Sequence, residues 1–307
     1  MDIFLQQIIN GLVQGSIYAL VALGYTMVYG IMGLINFAHG EVVMIGTLTA
    51  ITVAGSLLAA GMPPALAGLA ALIVATLLCM ALGWGLERIA YRPLRNAPRL
   101  TPLITAIGMS IILQNLAMII WGRNYQTFPP LFPKVNFEIA GVHFTAVQVI
   151  IVVLSAATML GLTLLVYRTK LGMAMRATAQ NPAVAGLMGV NSNRVISAAF
   201  VIGSALAALA GIMVGAYYEI AHYQMGFMLG LKAFTAAVLG GIGNLVGAMA
   251  GGILLGIIEA LGAGYIGDLT GGFLGSHYQD IFAFMVLIVV LMFRPSGLFG
   301  EKTGDRA

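Results

Sequence analysis

Long apolar segments with few charges constrain this chain more than any other feature. Only 8% of its 307 residues are charged and 60% are hydrophobic, and the mean hydropathy is +1.00. Several windows exceed the roughly 18 apolar residues that indicate a bilayer-spanning helix. We therefore expect an all-α polytopic membrane protein, a single transmembrane domain over residues 1–307 with about 8–9 membrane helices.

The basic residues predict how this domain is oriented. The candidate spans are 8–29, 41–60, 64–86, 101–121, 146–167, 195–218, 246–266 and 280–294. Cytoplasmic loops carry an excess of Lys and Arg, and three regions of this chain do so, which predicts that they are cytoplasmic. Their basic residues are Arg88, Arg92, Arg95 and Arg99 in the first, Arg168, Lys170, Arg176 and Arg194 in the second, and Arg294, Lys302 and Arg306 in the third. The proline-containing loop 122–145, with Arg123 and Lys134, then faces outward. Counting back from the Arg88 region through three spans places the N-terminus outside, and the basic residues of the C-terminal region place the C-terminus in the cytoplasm.

Two apolar segments, 29–46 and 226–247, are interrupted by glycine. Paired interruptions of this kind indicate half-helices around a central path, because freed backbone groups are tolerated only beside protein or water. The alternative is that these glycines simply permit close helix packing. The candidate path residues are Asn36, His39, Glu41, Lys232, Thr235, Gly240, Gly241, Gly243 and Asn244.

Three charged residues, Glu41, Lys232 and Glu259, fall in or near apolar runs. A charge at the bilayer centre costs at least about 2.5 kcal/mol, so we expect them to face protein or water. His39 and Glu41 can line or gate a path, or they can mark a helix start at the membrane surface. Lys232 can contribute to the path or extend to the membrane interface.

A polar island, residues 176–195, separates two long apolar runs. Asn181 can cap a helix, Pro182 suits its first turn and Gly189 suits a left-handed stop, which predicts about two helical turns. Its apolar face needs a partner, although an ordinary loop lying on lipid headgroups is the alternative. If the island docks on a partner protein, the residues that form or hold the docking helix are Arg176, Asn181, Pro182, Val184, Leu187, Met188 and Gly189.

Motifs for enzymatic chemistry are missing from the sequence. There is no GxxxxGK[ST] phosphate loop, HExxH, CxxC or GxSxG, so we expect no ATP hydrolysis, no metal and no bound cofactor. The net charge of +4 reports membrane orientation, and we expect no nucleic-acid partner.

Four sequence blocks resemble permeases of bacterial high-affinity branched-chain amino acid ABC importers, in particular the H-type subunit. The blocks are INFAHGEVVMIG, TAIGMSIILQN, the 176–195 island and GLKAFTAAVLGGIGNLVGAMAGGILLGIIEA. The resemblance implies a second, similar permease subunit, two cytoplasmic ATPases that use ATP and Mg²⁺, a periplasmic amino-acid-binding protein, surrounding lipid and a place in the bacterial inner membrane. It also implies that loop 168–194 carries a coupling helix that docks on an ATPase.

Other functions remain open at this stage. A urea or short-amide ABC permease shares much of this pattern. A gradient-driven secondary transporter or channel would need no cytoplasmic partner and would usually show ion-coupling acids in mid-span. A purely structural membrane protein would not need two glycine-broken segments.

Overall fold

The computed structural model describes residues 2–300, apart from residues 96, 99, 133, 134, 140 and 272–277. Within this part of the chain, seven helices are long and apolar enough to cross a membrane, and two shorter apolar helices accompany them. The basic positions Arg99, Lys134, Lys302 and Arg306, which contribute to the predicted orientation, lie outside the described residues.

Each of the eight predicted spans corresponds to a helix. The helices of these spans are α1 (Asp2–Met32), α2 (His39–Ala59), α3 (Pro64–Gly85), α4 (Leu100–Trp121), α5 (Ala146–Arg168), α8 (Ser192–Tyr218), α10 (Leu245–Leu269) and α11 (Gln279–Phe293). A π-helical segment, Leu86–Tyr91, and a 3-10 turn, Arg92–Leu94, continue α3. The prediction of an all-α membrane fold is therefore confirmed.

The remaining helices lie where the sequence is polar or interrupted. They are α6 (Lys170–Gln180), α7 (Pro182–Leu187) and α9 (Met225–Gly240). Two short antiparallel pairs join the connections: β1 (Gln126–Thr127) with β4 (Ile220–Ala221), and β2 (Asn136–Ile139) with β3 (Val142–Thr145). Three of these four strands belong to the 122–145 loop, and β4 follows α8.

Helix α1 forms the centre of the bundle and packs against α10, α8, α9 and α5. Its close contact with α10 uses glycine on both sides, since a Cβ on Gly256 would collide with the backbone at Gly15. Small residues let membrane helices approach this closely and gain van der Waals contact without a hydrophobic driving force. Gly252, one turn before Gly256 in α10, likewise meets the backbone of Ala19 in α1.

Helix α8 presents a second stripe of small residues, in which Gly203 faces Gly24 of α1 and Gly211 faces the carbonyl of Val43 in α2. By contrast, α3, α4 and α5 expose most of their apolar surface, including Leu77, Ile104 and Val153. Side chains of this kind are stable only against lipid or another apolar surface. The bundle therefore has a densely packed centre around α1, α2, α8, α9 and α10, and an apolar periphery.

Candidate functional site

The polar island folds as a short capped helix, as its sequence predicts. The side chain of Asn181 accepts hydrogen bonds from the backbone N–H groups of Ala183 at 3.0 Å and Val184 at 3.1 Å. Pro182 occupies the first helical position, and Gly189 has a φ of +83° just beyond the end of α7. These local bonds satisfy the free ends of α7 without help from another element.

The apolar face of α7 has no cover in the isolated chain. Leu187 is 87% exposed, Met188 is 82% exposed and Val184 is 52% exposed, whereas Ala185 on the opposite side is buried. Unlike the exposed residues of α3–α5, these three belong to a polar connection between membrane helices. Burying a Leu or Met side chain stabilises by about 1.5–3 kcal/mol, so this face is suited to a protein partner.

Helix α6, which the sequence analysis did not predict, fixes the position of α7. The side chain of Arg176 donates to the carbonyl of Val166 and lies over the ring of Tyr167, 5.4 Å from its centroid. A Cβ on Gly172 would collide with the same carbonyl, so α6 turns tightly against the end of α5. Arg176 therefore holds the α5–α6 corner and does not belong to the exposed face of α7.

The start of α8 is tied both to α7 and to the end of α3. Asn191 caps α8 by accepting from the N–H of Arg194 at 3.1 Å, and the hydroxyl of Ser192 lies 3.3 Å from the carbonyl of Pro182. One turn further along α8, the hydroxyl of Ser197 donates to the buried carboxylate of Glu87 at 2.8 Å. The connection between α7 and α8 is therefore short, and hydrogen bonds hold it at the start of α7 and at the start of α8.

Glu87 is the centre of an ion cluster that was not predicted from the sequence. Its side chain is 0% exposed and accepts from Arg92 at 2.8 and 3.1 Å and from Arg95. The guanidinium of Arg92 also donates to Ser197 at 2.9 Å, and that of Arg95 donates to Asn193. In the sequence, one acid followed by Arg at i+5 and i+8 is the signal for this cluster, and the same arginines also predict the cytoplasmic side of the membrane.

The first glycine-broken segment separates α1 from α2, and its polar side chains are buried. Asn36 accepts a hydrogen bond from the hydroxyl of Tyr91 at 2.6 Å. Glu41 accepts from Ser110 at 3.0 Å, while its other oxygen and Nε2 of His39 are buried without a hydrogen-bond partner among the described residues. His39 and Glu41 therefore start α2 inside the protein, and not at an exposed membrane surface.

The second broken segment packs on the first. A Cβ on Gly40 would collide with the carbonyl of Gly226, and a Cβ on Gly230 would lie 2.9 Å from the Tyr25 hydroxyl. The two backbones can meet this closely only because both are glycine at the contact. At the other end of these segments, a Cβ on Gly30 would lie 3.6 Å from the carbonyl of Gly243. The structure thus brings together the two segments that the sequence singled out.

The turn between α9 and α10 holds the remaining candidate path residues except Lys232 and Thr235. Gly241 and Gly243 adopt φ values of +105° and +98°. The side chain of Asn244 accepts from the N–H of Gly247 at 3.1 Å and donates to the carbonyl of Phe299 at 3.0 Å. A depression of about 1400 Å³ lies beside this turn, and its lining includes Tyr29, Gly30, Gly243, Asn244 and Arg294.

Lys232 and Thr235 lie on α9 between these two regions. The ammonium of Lys232 pairs with Asp280 at 2.7 Å and with Glu259 at 3.3 Å. Glu259 is fully buried and also accepts from the Tyr18 hydroxyl at 2.7 Å. Lys232 therefore binds protein carboxylates and does not extend to the membrane interface. The hydroxyl of Thr235 is buried and donates to the carbonyl of Leu231 in its own helix.

Metal ligands do not cluster in the part of the chain that the structure describes: no group of three or more His, Cys, Asp or Glu side chains is placed to hold an ion. The candidate features of the described chain are the exposed α7 and the paired helix breaks. Together with the helical bundle they define the class of protein, a multi-pass membrane transport subunit.

Similarity to known proteins identifies the family within this class. The sequence profile of the family described as "Branched-chain amino acid transport system / permease component" matches residues 7–291. The chain therefore belongs to that family, as the resemblance of its four sequence blocks indicated. It is 48% identical over 309 residues to the high-affinity branched-chain amino acid transport system permease protein BraD of Pseudomonas aeruginosa, covering 99% of this chain and 98% of BraD.

Two further relatives show the same end-to-end similarity. The chain is 45% identical over 311 residues to the high-affinity branched-chain amino acid transport system permease protein LivH of Salmonella typhimurium, covering 99% of this chain and 97% of LivH. The same values hold for LivH of Escherichia coli. Since each alignment spans nearly the whole of both proteins, the similarity includes the broken segments and the α6–α7 connection.

Proposed function

We propose that this chain is a permease subunit of an ABC importer that moves leucine, isoleucine and valine across the bacterial inner membrane. The proposal is supported by family membership and by the names of the full-length relatives, which are branched-chain amino acid permeases. The observation that carries the coupling part of the proposal is the exposed apolar face of α7, held between two anchored helices.

The proposed importer contains this chain, a second and similar permease subunit, two cytoplasmic ATPases and a periplasmic amino-acid-binding protein. The ATPases bind ATP and Mg²⁺, and this chain binds neither. Its coupling residues lie in loop 168–194, and Val184, Leu187 and Met188 contact a groove on one ATPase. Arg176, Asn181, Pro182 and Gly189 act indirectly, because they hold α7 in shape and position.

The proposed path follows the paired breaks. Asn36, His39 and Glu41 belong to it at the α1–α2 break, and Gly240, Gly241, Gly243 and Asn244 belong to it at the α9–α10 turn. Thr235 and Lys232 lie between these groups, and the charge of Lys232 is balanced by its carboxylate partners. Closure of the ATPases displaces α7, and the difference in contacts between the two states opens the path to one side or the other.

The proposed orientation places the C-terminus in the cytoplasm and the N-terminus in the periplasm. Its support is that Gln6, near the start of α1, exchanges two hydrogen bonds with the backbone of His143, at 2.9 and 3.0 Å. This contact joins the N-terminal end to the 122–145 loop, on the face opposite the basic connections at 86–95 and 168–194. The orientation then follows from the excess of Lys and Arg on the cytoplasmic side.

The direct test is ATPase activity of the complete reconstituted complex, with leucine or urea presented by the binding protein. We expect leucine to stimulate hydrolysis and urea to leave it at the basal rate. Stimulation by urea alone would reassign the substrate, and leucine uptake by this chain without ATP or its partners would contradict the whole proposal.

A further inference from the structure

The end of α3 bonds to two functional regions at once. On one side, Glu87 of the π-helical segment Leu86–Tyr91 accepts from Ser197 of α8. On the other side, Tyr91 of the same segment donates to Asn36 at 2.6 Å, inside the break between α1 and α2. Glu87 and Tyr91 are four residues apart, so one short segment contacts both the base of α8 and the candidate path.

The attachment to α8 is made by an ion cluster around the buried carboxylate of Glu87, which opposes a displacement of α8 relative to α3. If α8 moved alone, the fully buried carboxylate of Glu87 would lose the Ser197 hydroxyl, and Arg95 would lose Asn193. Leaving a buried charge or polar group without its partner is costly, so the start of α8 and the end of α3 favour moving together. The π-helical geometry of this segment is itself a feature found frequently at functional sites.

The attachment to the path is made by a buried hydrogen bond. Tyr91 is 1% exposed and its ring also packs against Phe200 of α8, with centroids 5.3 Å apart. Asn36 is 4% exposed, and the Tyr91 hydroxyl is the hydrogen-bond donor to its side-chain oxygen in the described part of the chain. A displacement of the segment therefore changes how the α1–α2 break is held.

We propose that the Glu87 cluster and the Tyr91–Asn36 bond form the mechanical link through which movement of α7 reaches the α1–α2 break. The order of the link is α7, the start of α8, Glu87 with Arg92 and Arg95, Tyr91, and Asn36. These are positioning residues: they contact neither ATP nor, by this proposal, the transported molecule. The inference rests on the proposed function, because it requires that an ATPase moves α7.

The test measures ATP hydrolysed per leucine transported in the reconstituted complex. Ser197→Ala and Tyr91→Phe each remove one hydroxyl from the link, and we expect either variant to raise the ratio by about two- to tenfold, the factor that corresponds to the net free energy of one hydrogen bond. Ser197→Thr keeps the hydroxyl and should restore the wild-type ratio. Thr158→Ala and Tyr125→Phe are matched controls, since Thr158 bonds only its own helix and Tyr125 is exposed in the 122–145 loop.

The double variant separates a link from two independent defects. If the two hydroxyls act in series, Ser197→Ala with Tyr91→Phe raises the ratio no further than the larger single effect, whereas independent defects multiply. An unchanged ratio in both single variants, or multiplied effects, would overturn the inference. Failure of the wild-type complex to show ATP-dependent leucine uptake would instead refute the proposed function, so the two failures are distinguishable.

Discussion

At the scale of single residues, glycine decides where this bundle can be dense. Gly256 and Gly15 allow α10 and α1 to touch through their backbones, while Gly161 of α5 has open space around it. Glycine is therefore required for packing at Gly256 and Gly15, but not at Gly161. The side chains of the α7 region differ in a similar way. Asn181 bonds to the backbone at the start of α7, whereas Val184 is exposed and available to a partner.

The first prediction compares two glycine substitutions. Gly256→Leu should displace α10 from α1 and lower the thermal stability of the purified protein, by an amount typical of overpacking, about 1–3 kcal/mol or more. Gly161→Leu, which projects from the exposed side of α5, should change it little. Equal melting temperatures for the two variants in the same detergent would contradict the packing described for α1 and α10.

The second prediction concerns the left-handed residue after α7. A side chain at Gly189 meets no atom within 4 Å, but its φ of +83° strains any L-residue by about 1–2 kcal/mol. Gly189→Val should therefore distort the end of α7 and uncouple ATP hydrolysis from leucine uptake, with the complex still assembled. Gly186→Val is the control, because Gly186 is also unobstructed and lies within α7 without a positive φ. Normal coupling in Gly189→Val would contradict the role given to this turn.

At the level of single elements, α7 stands apart from the membrane-spanning helices. Its exposed apolar face lies in the polar connection between α5 and α8. Its two ends are capped locally, α6 holds one side and α8 the other. A six-residue helix is too short to be stable alone. Its neighbours α6 and α8 therefore hold it in place.

The third prediction tests the exposed face of α7 as the ATPase contact. Leu187→Ser with Met188→Ser should reduce copurification of the ATPase by at least about tenfold, because each buried apolar side chain is worth more than the 1.4 kcal/mol that corresponds to that factor. Met173→Ser is the matched control, as Met173 is 62% exposed on the neighbouring α6. Full retention of the ATPase by the double variant would exclude this face as the contact.

At the scale of the whole molecule, the two broken segments meet in the interior although they are separated by nearly two hundred residues. Asn36 and His39 at the α1–α2 break are buried, while the α9–α10 turn borders an open depression whose lining also includes Tyr29 and Gly30. If the proposed path runs through these breaks, Asn244 is its accessible residue and His39 is not.

The fourth prediction measures this asymmetry with thiol reagents. In the assembled transporter without ATP, a cysteine at Asn244 should react with a small polar reagent faster than cysteines at His39 or Thr235, and ATP turnover should accelerate the latter two. The native Cys79 is buried and bonded to the carbonyl of Val42, so its background should be low. Uniform protection of all three positions during turnover would argue against a path through the breaks.

The features that could be predicted from sequence depend on neighbouring residues. Spans follow from hydropathy, and α7 follows from Asn181, Pro182 and Gly189, because capping uses atoms a few residues apart. The Glu87 cluster joins residues about one hundred positions apart, and only the tertiary structure brings Ser197 to it. Helix α6 was missed because its sequence is polar and lacks the apolar length that identified its neighbours.

Uptake of labelled leucine into proteoliposomes that contain the complete complex, with and without ATP, tests whether this permease is driven through α7. We expect uptake to require ATP, and we expect Leu187→Ser with Met188→Ser to abolish it while Met173→Ser does not. Uptake that persists in the α7 double variant, or that proceeds without ATP, would contradict a permease driven through this helix.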